Sequence, residues 1–400
     1  MNLSHLKVLR NQIVFTLSKL ISFLVHFIRL DSTHFGCPIG YHLTLDSYIN
    51  LDVDNSTSEK ITTLPPVEID KPFNYKNINN RYSHSYRYPE TDLVFNNIYN
   101  CRFHKEPHAL ITSDDRLIFS ESCAYGMNPK EHWIFRKFKL SKVNELNGNS
   151  FSLGITPNLW HLLMEEIPKI YRLGLIDKNI NTFDHIIGQS FQLDVQKEIY
   201  NLFDVPTHKF KTFDKSPHFK FDNLSFFSST YTPDFSGIKW MKKTILQKIK
   251  INEDIKFNRF FINRKNYKTK NIHNEDEFNR ILKKYNFETI EPENLDFSTQ
   301  VSTFRNASFI IGAHGAGLAA NTIFCKKDTK IIEIRSDSHP HDYAAPYVCM
   351  WPASINKLEH SVLFCKNIKN KKLKGRMNTD SDFFVNIFKF EELIKFHLNE

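Results

Sequence analysis

The chain has few of the residues that mark several common classes of protein. Its 400 residues include only six cysteines with no Cys-x-x-Cys spacing, which argues against a structural zinc site. Twelve glycines set against 36 phenylalanines indicate a bias of composition rather than a function. No apolar run reaches the uninterrupted length of about 20 residues that a membrane-spanning helix needs. The cysteine number neither requires nor forbids disulfides.

The basic residues are not concentrated in one part of the sequence. Lysine and arginine outnumber the acidic residues by 53 to 44, which gives a formal net charge of +9. These residues are scattered apart from a cluster at residues 366–376, whereas nucleic-acid-binding proteins concentrate theirs on a patch or stripe. We therefore expect no nucleic-acid partner. The cluster is either a solvated loop or a membrane-facing patch.

The apolar stretch at residues 12–30 is interrupted by Ser18, Lys19, Ser22 and His26. A central lysine costs a spanning helix about 2.5–3.5 kcal/mol, and no convincing cleavage site follows. Three interpretations stay open: an amphipathic helix on a membrane, a poor signal-anchor, or a helix packed on its own protein. We prefer the first, because basic residues beside an apolar helix suit anionic lipids. It predicts a cytoplasmic, peripheral membrane protein; a signal-anchor would instead predict a type II protein of the Golgi lumen.

The most informative segment is residues 309–334. An apolar run at 309–311 predicts a buried strand, a helix is predicted at 318–324, and a second strand at 330–334. Such a unit belongs to a parallel sheet, whose ligands bind beyond the carboxyl ends of the strands. The connecting loop has two glycines that let backbone N–H groups approach an anion, such as a sugar-nucleotide diphosphate. Its residues are His314, Gly315, Ala316 and Gly317. The alternative is a loop without a ligand, since a lone Gly-x-Gly is weak evidence.

A helix is predicted for residues 158–173, with one broad apolar face and Pro168 as a source of a kink. His161 and Glu165 stand four residues apart, so both project from one face of this helix. A carboxylate there can orient an imidazole and raise its basicity. The alternative is a surface pair of little consequence.

Three segments, in this order along the chain, resemble the signature of glycosyltransferase family 61. They are Asn158-Leu-Trp-His161-Leu-Leu-Met-Glu165-Glu-Ile-Pro168-Lys169, then Phe261-Ile-Asn-Arg264 with Lys270-Asn-Ile-His-Asn274-Glu275-Asp-Glu-Phe278, then Gly-Ala-His-Gly-Ala-Gly-Leu-Ala-Ala-Asn-x-x-Phe at 312–324 with Ile-Ile-Glu-Ile after it. The resemblance spans about residues 150–350. Lysines replace two of the family's arginines, at Lys169 and Lys270, which keeps charge but loses bidentate geometry.

The resemblance implies an α/β, GT-B-like fold with two Rossmann-like domains facing a central cleft, preceded by the apolar N-terminal helix. The expected parts are that helix at 1–36, an acceptor-side α/β domain at 37–235, a nucleotide-sugar-binding domain at 236–378 and a C-terminal helix at 379–400. The boundary near 235 agrees with a turn-rich stretch at 228–240.

The implied activity is that of an inverting glycosyltransferase of polysaccharide biosynthesis. It would move a sugar from a nucleotide sugar, UDP-linked, to a hydroxyl of a carbohydrate acceptor. Two alternatives remain: a sugar-nucleotide epimerase of GT-B fold and a non-catalytic glycan-binding protein. The expected partners are the donor, the acceptor and, through the N-terminal helix, a membrane surface.

The resemblance also carries roles onto individual residues. His161 is the expected base, with Glu165 orienting it or acting itself. The diphosphate is expected to contact side chains after one strand and backbone N–H groups of the glycine loop, namely Arg264, Lys270, Gly315, Ala316 and Gly317. His314 is expected at the phosphate or the sugar. Glu333 is expected to accept the ribose hydroxyls from the end of its strand, with pairing to Arg335 as the competing interpretation.

Catalysis is expected to need no metal and no other cofactor. Two Asp-x-Asp sequences occur, at 52–54 and 380–382, and we interpret them as a polar loop and the start of the terminal helix. The sequence His339-Pro-His341-Asp342 resembles a metal cluster, but Pro340 imposes an extended backbone and no third ligand is suitably spaced.

Overall fold

The computed structural model describes most of the chain beyond residue 36. Before that point it describes only residues 13, 16, 17 and 20. It then describes residues 37–399, except for 73–84, 106–107, 123–127, 138, 155–157, 189, 192–193, 215, 230–231, 256, 264–268, 338–348 and 369–381.

This part of the chain contains strands and helices in both halves. The strands are β1 (Gly40–His42), β2 (Thr57–Leu64), β3 (Val67–Ile69), β4 (Tyr86–Tyr88), β5 (Thr91–Tyr99), β6 (Arg102–His104), β7 (Ala109–Ile111), β8 (Arg116–Ile118), β9 (Asn144–Ser152), β10 (His185–Ile187), β11 (Phe210–Lys211), β12 (His218–Phe227), β13 (Arg259–Ile262), β14 (Glu288–Ile290), β15 (Phe309–Ala313), β16 (Lys330–Ser336), β17 (Glu359–Ile368) and β18 (Asp382–Phe384). The α-helices are α1 (Leu45–Ile49), α2 (Leu159–His161), α3 (Ile167–Gly174), α4 (Asp194–Leu202), α5 (Phe235–Lys248), α6 (Glu275–Lys284), α7 (Phe297–Asn306), α8 (Ala316–Asn321), α9 (Met350–Asn356) and α10 (Ile387–Leu398).

The second half of the chain forms a doubly wound sheet. Its order is β14-β13-β15-β16-β17-β18, and every neighbouring pair is parallel except β17 with β18. The chain runs from β13 outward to β14 and then returns to the other side at β15. Such a reversal is a topological switch point, where ligands of open parallel sheets bind. The switch point here lies between the carboxyl ends of β13 and β15.

Residues at the helix ends explain where the helices around this sheet begin and end. Asp296 caps α7 by accepting a hydrogen bond from the Thr299 N–H, at 2.8 Å. Three acidic residues open α6 and two lysines close it, an arrangement that complements the helix dipole. Asn274 precedes α6, but its side chain bonds Val385 on the terminal segment and does not cap the helix.

The first half of the chain departs from the Rossmann-like sheet expected for it. The ten strands of its sheet include a parallel group, β12-β9-β10-β11, and a parallel pair, β1-β8. In contrast, β5 pairs antiparallel with β2 and β12, β6 with β12 and β7, and β7 with β8. Only four residues separate β6 from β7 and β7 from β8, and connections this short permit only antiparallel pairing. The molecule is therefore a mixed α/β protein with two mixed sheets.

The predicted helix at 158–173 is present but contains a wide turn. The segment Leu162–Glu166 between α2 and α3 is a π-helix, in which the Ile167 N–H bonds the Leu162 carbonyl five residues back. Pro168 follows directly and has no N–H to continue the ordinary pattern. Wide turns of this kind are frequent at functional sites.

One apolar cluster joins the two halves of the molecule. It includes Phe151 from β9 and Leu162 from the wide turn, together with Ile310 from β15 and Met350 from α9. Burial of a large apolar side chain contributes roughly 1.5–3 kcal/mol, so this shared cluster holds the two sheets against each other. A second cluster, around Phe278 and Phe390, packs α6 and α10 on the outer face of the parallel sheet.

The C-terminal end of the chain differs from the sequence-based expectation, and most of the N-terminal end lies outside the described residues. Asp382 was expected to begin the terminal helix, but it lies in β18 and accepts a hydrogen bond from the Asn271 N–H, so α10 begins later. Asp380 and almost all of residues 1–36 lie outside the described residues. Among the helices that are described, none has the length and apolar character to cross a membrane.

Candidate active site

The His161–Glu165 pair predicted on the helix at 158–173 is present in the structure. Asn158 begins α2 by accepting a hydrogen bond from the Trp160 N–H at 2.8 Å, and this start places His161 one turn in. The His161 Nδ1 and Glu165 Oε2 atoms are 2.7 Å apart. The side chains retain 33% and 49% of their full exposure. The pair is therefore reachable from solvent, as a proton acceptor for a substrate must be.

The surroundings of His161 favour its charged form. Burial opposes the imidazolium, but the hydrogen bond and charge of Glu165, together with the charge of Glu166, outweigh it and raise the pKa of His161. Glu166 itself is buried and accepts a hydrogen bond from the Tyr200 hydroxyl at 2.6 Å. Burial raises the pKa of Glu166 to about 7. A raised pKa makes His161 a stronger base once it has lost its proton.

Two tryptophans bring this helix against the second half of the chain. Trp160 packs on Trp351 of α9 with ring centroids 5.1 Å apart, and the Trp160 ring also meets the His161 ring edge-on. The Trp351 Nε1–H donates to the Tyr88 hydroxyl at 3.2 Å. Helix α2 also contacts α8, the helix that follows the glycine loop. The His161–Glu165 pair and the glycine loop thus lie on adjoining elements.

The glycine loop has the form predicted from the sequence. Strand β15 ends at Ala313, Gly315 is nearly fully extended at φ 158° and ψ 176°, and α8 begins at Ala316. A Cβ atom added to Gly317 would meet nothing within 4 Å, so that side of the loop is open. Asn321 fixes the helix by donating to the Gly317 carbonyl at 3.0 Å. The first N–H groups of a helix have no partner within it and favour an acceptor from outside.

His314 belongs to a buried network centred on Glu333. Glu333 is fully buried and its two oxygens face different histidines: His314 Nδ1 at 2.5 Å and His360 Nε2 at 3.0 Å. Arg335 Nε lies 3.7 Å from Glu333 Oε1, so the competing pair with Arg335 is present, and it is buried rather than exposed. Strand β16 continues to Ser336, so Glu333 lies inside the strand and not at the end where it was expected.

The charges in this network are fixed by burial and by Arg335. Burial and the arginine charge lower the pKa of His314 to about 4, against the opposing pull of Glu333. Burial would raise the pKa of Glu333, but Arg335 and His314 outweigh it and hold that pKa well below its usual range. At neutral pH the pair is therefore a neutral imidazole whose Nδ1–H donates to a carboxylate.

Lys270, in the segment that follows β13, contacts the same loop. Its Nζ donates to the His314 carbonyl at 3.1 Å, and its backbone adopts a left-handed conformation at φ 63°. A cavity of about 80 Å³ opens beside it, lined by Ile262 and Ala313, the last residues of β13 and β15. This cavity marks the switch point of the parallel sheet. Arg264, the other expected diphosphate contact, lies outside the described residues.

One group of side chains has the composition of a metal site. Ligand atoms of His314, Glu333 and Cys349 lie within 4.8 Å of one another, and all three residues are buried. The charges of Arg335 and Lys270 act on His314 in the same place. Burial raises the pKa of the Cys349 thiol well above its usual range, which keeps it protonated. Histidine, cysteine and carboxylate side chains are ligands of transition metals, so this group could hold a metal ion, whose own charge would deprotonate the thiol. The sequence His339-Pro-His341-Asp342 lies outside the described residues.

A larger cavity that the sequence did not indicate lies on the other side of the His161 helix. Its volume is about 240 Å³, and Glu165, Lys169 and Trp351 are among its lining residues. Lys169, which stands where the family has arginine, donates to the Leu153 carbonyl and forms one wall. Another lining residue, Glu121, comes from a stretch without any motif. Its position follows only from sheet pairing, which a single sequence does not reveal.

These features define a class before they define a family. A parallel sheet with a glycine loop at its switch point is typical of α/β proteins that bind phosphate-bearing ligands. Residues 159–332 match the family model described as Glycosyltransferase 61. The chain thus carries a glycosyltransferase family 61 domain over residues 159–332, which confirms the resemblance.

Comparison with solved structures gives a more distant likeness. The chain is similar to the iron-containing dodecameric glycosyltransferase TibC of enterotoxigenic E. coli H10407, at 13% identity and a TM-score of 0.27. The alignment covers 63% of this chain and 77% of TibC. At that score the likeness supports no residue-level argument. No curated protein matches the chain.

Proposed function

We propose that the protein is an inverting, metal-independent glycosyltransferase of GT-B-like arrangement. It transfers a sugar from a nucleotide sugar, UDP-linked, to a hydroxyl of a glycan or polysaccharide acceptor. The observation that carries the proposal is the placement of the His161–Glu165 pair on a helix that packs against the glycine-loop helix. An accessible base on one side and an anion site on the other are what transfer from a diphosphate requires.

The donor end of the proposal rests on the loop between β15 and α8. The diphosphate lies against the N–H groups of Gly315, Ala316 and Gly317, with Lys270 as its nearest described cation, and Arg264 completes the set by the family resemblance. Support comes from the hydrogen bond that holds Lys270 at this loop and from the open side of Gly317.

His314 and Glu333 support this loop. Both oxygens of Glu333 already face histidines, so its proposed role is to orient His314 instead of accepting the ribose hydroxyls. The hydrogen bond to Glu333 through Nδ1 turns the other ring nitrogen of His314 toward its own surroundings as an acceptor. Either the phosphate ester side or the sugar hydroxyls of the donor can then meet the imidazole.

The chemical step is a single displacement with inversion at the anomeric carbon. His161 takes the proton from the acceptor hydroxyl as its oxygen bonds the anomeric carbon. The bond to the diphosphate oxygen breaks at the same time, and the electron pair leaves with the nucleoside diphosphate. Glu165 holds the imidazole and stabilises its charged form; general base catalysis of this kind contributes about 10²–10⁴-fold.

We infer metal independence from the positive charge and the N–H groups at the glycine loop. Lys270 and the loop N–H groups provide the positive potential that a metal supplies in other glycosyltransferases. Full loss of turnover in a chelator, with recovery on adding manganese, would contradict this part of the proposal.

A panel of nucleotide sugars tests the proposal in two stages. Thermal unfolding with each donor identifies the one that binds, because a ligand at 100 times its Kd stabilises the folded protein by about 2.7 kcal/mol. NMR of the product then reports the anomeric configuration. An inverted glycoside supports the proposal; a new nucleotide sugar formed without acceptor would identify an epimerase, and glycan binding without any turnover would identify a binding protein.

Membrane association remains part of the proposal and depends on the apolar residues 12–30. We propose a peripheral contact on the cytoplasmic face rather than a Golgi signal-anchor. Flotation of the full chain with vesicles containing phosphatidylserine, compared with phosphatidylcholine vesicles, tests it. Equal recovery with both lipids, or none with either, would contradict it.

A further inference from the structure

The larger cavity offers a binding site next to the proposed base. It is enclosed between the first sheet and the His161 helix, and its volume is about 240 Å³. Glu165 forms part of the wall, so a ligand inside would come within reach of the His161–Glu165 pair. Trp351, which packs on Trp160, closes the wall toward the glycine loop. A ligand in this cavity would therefore lie beside Glu165 and against Trp351.

The cations of the cavity are already matched by carboxylates. Arg172 Nε and Asp234 Oδ2 are 2.9 Å apart, and their side chains keep only 7% and 2% of their exposure. Lys169 donates to the Leu153 carbonyl and lies in the field of Glu166; burial lowers the pKa of this lysine. A buried pair holds its charges in place, since separating it would leave one charge uncompensated.

The cavity also contains the carboxyl group of Glu121, which has no cationic partner among the described residues. Glu121 bonds the Ser228 hydroxyl at 3.3 Å and the Ser120 hydroxyl at 3.4 Å. Burial raises its pKa, and these hydroxyls oppose that shift. With Glu165 also on the wall, the lining offers acceptors and hydroxyls but no surplus positive charge. A carboxylate or phosphate on the ligand would face the acidic side chains of this wall, and contact between like charges weakens binding.

The remaining walls suit a ligand with both polar and apolar faces. Aromatic rings line one part, and small hydroxyl side chains line another, namely Ser152, Ser228, Ser229 and Thr232. Sites for small molecules combine apolar walls with a few polar groups that fix the orientation of the ligand. A pyranose has this character, with hydroxyl edges and C–H faces.

The geometry points to this cavity as the acceptor site, and to an uncharged sugar residue as the occupant. This inference rests on the proposed function and names its acceptor class: a neutral hexose or pentose unit, with one hydroxyl directed to the His161–Glu165 pair. Acidic units such as uronates or sugar phosphates are excluded by the charges in the wall.

The test compares neutral and acidic methyl glycosides on the full chain saturated with UDP. Binding is measured by saturation-transfer NMR and titration, with a panel of neutral methyl hexosides and pentosides against the matching methyl hexuronosides. We expect the neutral compound that binds best to bind roughly 10-fold or more tightly than its uronate. Equal or tighter binding of the uronate would overturn the inference, and so would failure of every neutral glycoside to bind.

A cavity-filling variant locates the site. Ser229 is exposed at the rim of the cavity, so Ser229→Trp can fill the space without disturbing the core. Glycoside affinity should fall about 10-fold or more, because a filled cavity excludes the ring. Ser236→Trp, at an exposed position on α5 that does not line the cavity, should leave it unchanged. Unaltered glycoside binding by Ser229→Trp would overturn the inference.

Thermal stabilisation by UDP separates failure of the inference from failure of the proposed function. Ser229→Trp should keep the stabilisation, because the cavity and the glycine loop are separate. If UDP stabilises neither protein while neutral glycosides still bind, the donor proposal fails and the cavity site stands. If UDP stabilises both and no neutral glycoside binds, the cavity site fails and the donor proposal stands.

Discussion

Two of the histidine–glutamate pairs among the described residues differ chiefly in their surroundings. His161 and Glu165 stand on one helix and keep 33% and 49% of their side-chain exposure. His314 and Glu333 join a loop to the middle of a strand and keep 9% and 0%. In both, the imidazole Nδ1 faces the carboxylate. In the proposed mechanism the same two residue types therefore have two roles, proton transfer in the exposed pair and support of the donor loop in the buried pair.

The difference in burial reverses the effect on the histidine. The pKa of His161 is raised, because its carboxylate neighbours outweigh its desolvation. The pKa of His314 is lowered to about 4, because burial and the charge of Arg335 outweigh its carboxylate. The first imidazole keeps its proton to higher pH than a free histidine does, whereas the second stays neutral. Our account therefore gives the chemistry to the first pair and the support of the donor loop to the second.

The largest expected effect is on stability, and it should separate the two pairs. Replacing Glu333 with alanine leaves His314 and His360 without their common hydrogen-bond acceptor and Arg335 without its ion-pair partner. Breaking a buried pair in this way costs about 3–5 kcal/mol of unfolding free energy. Glu165→Ala removes a half-exposed carboxylate and should lower the free energy of unfolding by about 1 kcal/mol or less. Urea unfolding measures both; equal losses would show that burial does not distinguish the pairs.

The next effect is on donor binding. Lys270→Met removes the cation held at the His314 loop, and a hydrogen bond to a charged group contributes about 1.5–3 kcal/mol. We expect a corresponding loss in UDP affinity by calorimetry. Lys326→Met, at an exposed position after α8, is the matched control and should bind UDP normally. Normal UDP binding by Lys270→Met would remove this lysine from the proposed site.

The buried pair should also set part of the acid sensitivity of the fold. The folded pKa of His314 lies below the ordinary value of 6.5, so between pH 6.5 and about 4 the unfolded chain binds the extra proton. Stability contributed by neutral His314 is therefore present above pH 6.5 and is lost as pH falls through this window, with a slope of at most about 1.4 kcal/mol per pH unit. His314→Gln should flatten the dependence of unfolding free energy on pH. An unchanged slope would contradict the lowered pKa.

The smallest expected effect is a shift of the pH–rate profile. Because Glu165 raises the pKa of His161, activity should rise with pH through a limb that lies above pH 6.5. Glu165→Gln should move that limb to lower pH, since the hydrogen bond and the charge that favour the imidazolium are lost. The rate at the plateau should fall as well, as a weaker base takes the proton less readily. A limb that stays in place would mean that another group controls it.

Much of the second half of the fold could be predicted from sequence. The strand at 309–311, the helix at 318–324 and the strand at 330–334 all exist, with small changes at their ends. Apolar runs and glycines are local signals, and parallel strands in such units are buried throughout, so the pattern is clear. The pair His161–Glu165 could also be predicted, because residues i and i+4 lie side by side on a helix.

The rest depended on contacts between distant parts of the chain. The bond from His360 to Glu333 joins neighbouring strands whose pairing only the sheet defines, so burial of both oxygens of Glu333 was not foreseeable. Asp382 was assigned to a helix because its strand is three residues long and is fixed by pairing with β17. The cavity beside Glu165 is lined by Glu121 and Trp351 as well. No sequence motif connects residues so far apart.

The central claim is that His161 takes the proton from the acceptor. It is tested most directly by the turnover of His161→Gln, with His208→Gln, an exposed histidine on a surface turn, as the control. The account predicts a fall in kcat of about 10²–10⁴-fold for His161→Gln, with UDP affinity and unfolding free energy unchanged, and full activity for His208→Gln. Full turnover by His161→Gln would contradict the account.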